Sequence, residues 1–312
     1  MYESALLSEA AYANFSIAIN LDGTYKEDDV RTALQRIGTK DGEPDDPNEG
    51  FSLSQATEFA ENWEVVTHQA DTDSGFSATL FRRKTADPSS GYEVGDYVYA
   101  IRGTAGTVDL AEDFGNIVAD DLALEQIVDL YNDWIRINTL TNQSYLVARL
   151  VDTVGNGDPS QVILDSPFGY KTIEWVESTT LFSSDDSRYY GAGETLSAEQ
   201  LVSVTGHSLG GHLAAAFTRL FPGLAEAVTI NGAGFGSEGD TNGVDTNVPN
   251  LFAMLNGANS FNEADIQNIY GDKNPEIVTQ DGPGLFQPGS HDALFIEQDS
   301  LFDNTAGMAV LK

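Results

Sequence analysis

The 312-residue chain has no cysteine, which excludes disulfides, thiolate nucleophiles and thiolate metal sites. Positive charge is scarce as well. Fifteen Lys and Arg stand against 49 Asp and Glu, a formal net charge of −34. A field of that sign repels phosphate backbones, so nucleic acid is not an expected partner. It also opposes docking on anionic lipid unless a divalent cation bridges the two. There is no run of about 18 apolar residues, which excludes a transmembrane helix. The opening MYESALLSEAAYANF lacks a basic start and a continuous apolar stretch and does not read as a secretory signal peptide. Internal repeats, including glycine–aspartate nonapeptides, are absent.

What is present suffices for a sizeable core: 41% of residues are hydrophobic and 10% aromatic. The length suits one large α/β domain spanning 1–312, with a helical N-terminal part over 1–60. Leu6, Ala10 and Ala13, widened by Leu7 and Ala11, predict a first helix. Two more are expected over 26–37 and 54–63. Strands are expected over 63–67, 76–83 and 97–101, and mostly helical spacing from 108 to about 150. Residues 156–199 are poorly patterned and read as an insertion, so 105–200 as a whole is a lid and insertion region. Regular signals return with strands at 201–204, 227–230, 266–270 and 277–278 and a helix over 209–221. Such alternation predicts a mainly parallel central sheet flanked by helices.

The chemistry centres on Gly206-His207-Ser208-Leu209-Gly210, which matches G-x-S-x-G. An apolar strand enters it, and Leu209, Leu213, Phe217 and Leu220 leave it at helical spacing. A nucleophile elbow needs that order: the serine stands on a sharp turn, and the helix N-terminus aims its amides at developing negative charge. A serine nucleophile needs a base, and the base an orienting acid. Of the four histidines, His207 lies in the elbow and His212 one turn below Ser208, so both read as packing or hydrogen-bonding residues, while order alone does not exclude His68. His291, in a loop expected to lead into a helix over 294–301, occupies the place that the order Ser, Asp/Glu, His gives the base. The acid belongs at a strand end between the two. Asp240, Asp245, Asp265 and Asp281 are alternatives, and Asp272, which ends the strand at 266–271, is best placed. Oxyanion donors are expected from the Leu209 amide and from Thr104, which follows the strand through Arg102-Gly103.

RGT after a strand, GHSLGGHLA, a strand ending in Asp and a late His together resemble the class 3 lipases, and more narrowly the catalytic half of secreted bacterial lipases exported by type I systems. The likeness covers about 97–301. It implies an α/β-hydrolase fold, carboxylester hydrolysis of lipid-like substrates, a Ser208-His291-Asp272 triad, a Thr104/Leu209 oxyanion hole and a helical lid-like segment after Thr104. It further implies an extracellular location and transient contact with a lipid interface. In those relatives calcium holds the lid open, and Asp109, Asp113, Asp120 and Asp121 would serve that role here. The family's acid commonly sits in an Asp-Pro-Val-like turn, whereas this chain has Gly271-Asp272-Lys273-Asn274-Pro275. The aromatic stretch 168–182, with Tyr170 and Trp175, is a candidate acyl groove or simply core. The acidic loops at 41–49 and 240–245 read as solvated rather than as calcium sites, since the EF-hand spacing is absent. A phospholipase A-type or short-chain esterase is the enzymatic alternative, and an inactive hydrolase-fold binding module the non-enzymatic one.

Overall fold

A computed structural model describes residues 2–20, 23–37, 39–40, 43–44, 50–103, 122–153, 164–166, 169–236, 247–271 and 285–294. The N-terminal part is helical: α1 (Tyr2–Ala10), α2 (Glu27–Gln35) and α3 (Leu53–Asn62), with a two-residue hairpin of β1 (Thr39–Lys40) and β2 (Glu43–Pro44) between the last two. Helix α3 starts on a capping box, in which the Ser52 hydroxyl accepts from the Gln55 amide and the Gln55 side chain accepts from the Ser52 amide.

The chain then enters a seven-stranded sheet. Its strands are β3 (Trp63–Gln69), β4 (Ala78–Arg83), β5 (Tyr97–Ile101), β9 (Leu201–His207), β10 (Glu226–Ile230), β12 (Ile266–Gly271) and β14 (Ser290–Leu294), in spatial order β14-β12-β10-β9-β5-β4-β3. From β5 through β9, β10 and β12 to β14 all neighbours are parallel; β3 and β4 add an antiparallel edge. Every residue of β5 is buried, because both faces of the sheet are covered. The pleat divides them: Tyr97, Tyr99 and Ile101 join one core, Val98 and Ala100 the other. The first core lies under α4 (Leu122–Asn138) and α6 (Leu209–Leu220), where Trp134 meets Phe217 edge to face at 4.9 Å. The second lies under the N-terminal helices around Phe15, Phe59 and Phe81.

A separate antiparallel sheet has the order β6 (Leu146–Thr153), β8 (Gly169–Glu177), β7 (Leu164–Ser166). The helical spacing expected up to residue 150 therefore ends at Asn138. Val147 and Ala148 are buried by strand pairing with β8 and packing against α4, a tertiary partner that periodicity within 146–150 does not reveal. The remaining elements are α5 (Ser178–Leu181), α7 (Asn247–Met254), β11 (Phe235–Gly236) and β13 (Leu285–Phe286). Among the described residues no helix is long and apolar enough to cross a membrane. The expected strand at 277–278 lies outside the described residues.

Candidate active site

Strand β9 stands between two parallel neighbours, β5 and β10, and carries the chain directly into Ser208. Ser208 adopts φ 58° and ψ −124°, a region that a residue with a side chain occupies only under strain, and Leu209 opens α6 immediately after it. The surroundings hold it there. Its amide donates to the Ile230 carbonyl at 3.0 Å, and its carbonyl accepts from the amides of Gly211, His212 and Ala233. Glycine at 206 and 210 is a packing requirement: a Cβ on Gly206 would run into the Gly210 backbone, and one on Gly210 into the Ile101 carbonyl. The elbow helix thus comes close against both its own strand and β5. The Leu209 amide, at the first position of α6, has no backbone partner among the described residues, as the geometry of a helix start dictates. The Ser208 hydroxyl likewise has no hydrogen-bond partner among the described residues, and Ser208 is 6% exposed.

The histidines take up four different settings. His68 on β3 pairs through Nδ1 with the Thr79 hydroxyl at 2.8 Å and meets Phe15 edge to face; desolvation, then the nearby Arg102 cation, pushes its pKa down to about 4. It is separated from β9 by β4 and β5. His207 shares a hydrogen bond with the Tyr12 hydroxyl through Nδ1 at 3.1 Å, and desolvation lowers its pKa to about 4. His212 is 2% exposed, stacks on Phe235 at 4.0 Å and donates from Nδ1 to the Gly234 carbonyl at 3.2 Å, leaving Nε2 buried with no partner among the described residues. Desolvation brings its pKa to about 4 against the opposing effect of the backbone carbonyls.

His291 is exposed and lies within β14 rather than in a loop, paired in register with Asn268, which aligns with Thr229 and then Gly206. Three strand spacings, about 14 Å, therefore separate its backbone from the level of the elbow. Its Nε2 sits 3.2 Å from the Gln287 carbonyl, and it shares no hydrogen bond with Ser208.

Thr104, Asp109, Asp113, Asp120, Asp121 and Asp272 lie outside the described residues, as do Asp240, Asp245 and Asp281. What can be seen is the strand leading to position 272. The Asn231 amide donates to the Ile269 carbonyl, and the Gly271 amide donates to the Asn231 side chain, so β12 ends beside the turn that follows β10. Asp265 precedes β12, at the opposite end of that strand. Among the described residues no group of three or more His, Asp or Glu could hold a metal ion.

Trp175 is placed far from the elbow. It packs on Tyr131, which stacks on Phe221 at the C-terminal end of α6, roughly 18 Å along the helix from Ser208. It and Tyr170 remain substantially exposed. A cavity of about 410 Å³ lined by Asp129, Asp133, Arg136, Tyr145 and Arg188 likewise does not include Ser208. Residues that motif reading passed over are Ser4, Ser8 and Tyr12, four apart on α1 and the turn after it. Ser8 bonds the Thr205 hydroxyl on β9 at 2.7 Å, the Ser4 carbonyl accepts from the same Thr205 hydroxyl, and Tyr12 reaches His207. A polar stripe at that spacing ordinarily reads as a solvent face; its only sequence signal is that the residues are small or aromatic rather than charged.

The chain matches no protein-family model, and no curated protein matches it.

Proposed function

We propose that the chain is a serine carboxylester hydrolase of the α/β-hydrolase type, acting on lipid-like esters. The backbone of Ser208 carries this reading. A serine held at φ 58° and ψ −124° between a central parallel strand and a helix is the strained turn that exposes a nucleophile above a sheet. Ser208 attacks the ester carbonyl as the base takes its proton, the Leu209 amide and the residue at 104 take the oxyanion, the alcohol leaves with that proton, and water then releases the acyl group as a carboxylic acid. His291 is assigned as base and Asp272 as its orienting acid on chain order. The lipid-like substrate, the calcium at Asp109, Asp113, Asp120 and Asp121, the lid and the extracellular location rest on the resemblance in sequence motifs alone.

The separation of His291 from Ser208 favours a second reading, in which the same fold binds a ligand without turning it over. A fluorophosphonate probe separates the two. Covalent labelling of Ser208, lost in Ser208→Ala, supports the hydrolase; folded protein left unlabelled with calcium present supports the binding module. Hydrolysis of p-nitrophenyl esters of rising chain length, with and without calcium and in His291→Ala, then defines substrate, metal and base.

A further inference from the structure

We infer that Tyr12 is a positioning residue for the elbow, its hydroxyl bracing the two segments that carry the oxyanion donors; this rests on the hydrolase reading above. Three observations converge on that oxygen. It lies 3.1 Å from Nδ1 of His207, the residue before the nucleophile. Gly103, the last described residue after β5, packs closely against the same oxygen. Gly103 has no room for a side chain, because a Cβ there would meet both the Tyr12 hydroxyl and the His207 carbonyl. The phenol is thus the point at which positions 12, 103 and 207 touch.

Desolvation keeps His207 neutral near pH 7 and raises the phenol above its ordinary value, so the phenol keeps its proton. In the proposed brace the phenol O–H donates to the lone pair on His207 Nδ1, which puts the imidazole proton on Nε2, while Gly103 packs against the phenol oxygen. His207 cannot turn without breaking this chain, and its carbonyl lies against Gly103. The placement of Gly103 relative to His207 is therefore governed by a side chain about 90 residues away in sequence from the first and nearly 200 from the second. The stripe of Ser4 and Ser8 holds α1 on β9 below it, so the hydroxyl is delivered by a fixed element rather than by a loop.

The test is Tyr12→Phe, which keeps the ring and removes the bridge. Hydrogen exchange in peptides covering 97–103 and 205–212 is expected to speed up about three- to tenfold, the effect of losing one hydrogen bond, while 122–138 is unchanged. Labelling of Ser208 by the phosphonate is expected to slow by a similar factor, and ester hydrolysis to lose kcat at unchanged KM and nearly unchanged melting temperature. Unchanged exchange in both segments overturns the inference. In the unaltered protein, ¹⁵N shifts of His207 should report Nε2–H with Nδ1 as acceptor; a protonated Nδ1 overturns it as well, without any variant. An unlabelled wild-type protein would sink the hydrolase reading alone, since exchange and the His207 tautomer decide the brace without turnover.

Discussion

The elbow and the carboxyl-terminal edge of the same sheet are built in opposite ways. Around Ser208, backbone meets backbone: Gly206, Gly210 and Gly103 admit no Cβ, and four hydrogen bonds fix the peptide groups of one residue. Among the described residues the only strand beside β14 is β12, and His291 and Ala293 are exposed. On the proposed hydrolase reading, the position of Ser208 is secured by close packing of the main chain, whereas His291 on an edge strand depends on whatever is laid over that edge. A short motif and its surroundings therefore mark the first and not the second.

The contrast can be broken in several places. The largest effect is expected from Gly210→Val, which forces a side chain into the Ile101 carbonyl and should cost about 3 kcal/mol or prevent folding, against less than about 0.5 kcal/mol for Ala293→Val in β14. Urea unfolding of the two variants measures it, and equal losses would erase the distinction.

Next in size is a pH dependence. His68, His207 and His212 bind a proton near pH 6.5 when unfolded but only near 4 when folded. The unfolded chain therefore holds more protons between those values, and stability should fall as pH drops through that window, by on the order of 2–3 kcal/mol for the buried His212 ring and by less for the half-buried His68 and His207. His212→Asn keeps a donor for the Gly234 carbonyl and should flatten the decline; an unaltered slope would place the titration elsewhere.

Ser208→Gly should raise stability by about 1 kcal/mol by relieving the strained backbone, while abolishing phosphonate labelling. A loss of stability instead would mean that the turn carries no strain. Smallest of all, His291→Ala should lower the unfolding free energy by less than about 0.5 kcal/mol, since its one hydrogen bond among the described residues is at an exposed edge. Hydrolysis by the same variant decides its chemical role: loss of turnover with stability intact supports it as the base, and wild-type rates remove it.

Much of the fold was legible where local pattern and final burial agree. The strand entering the elbow and the helix leaving it stand within a few residues of where the pattern puts them, because the apolar run and the 3.6-residue stripe are long enough to mark strand and helix without knowing what covers them. Residues 146–150 misled because an apolar run of that length suits either helix or strand, and the deciding partner, β8, lies some 25 residues further on. Gly289-Ser290-His291-Asp292 has the composition of a loop, yet Gly289, at φ 101°, is the turn that starts β14 against Ile266. Tyr12 escaped notice for a different reason. Its importance is a matter of one oxygen meeting two distant peptides, and no spacing within 1–20 encodes that meeting.

A residue kept against its own conformational preference stays there only as long as its neighbours press on it. Serine 208 should accordingly be the earliest casualty of gentle heating or of losing the first dozen residues, relaxing toward an ordinary turn while the rest of the sheet is still intact. On the hydrolase reading, inactivation would then run ahead of melting, and a preparation that passes every spectroscopic check of foldedness could already be chemically silent.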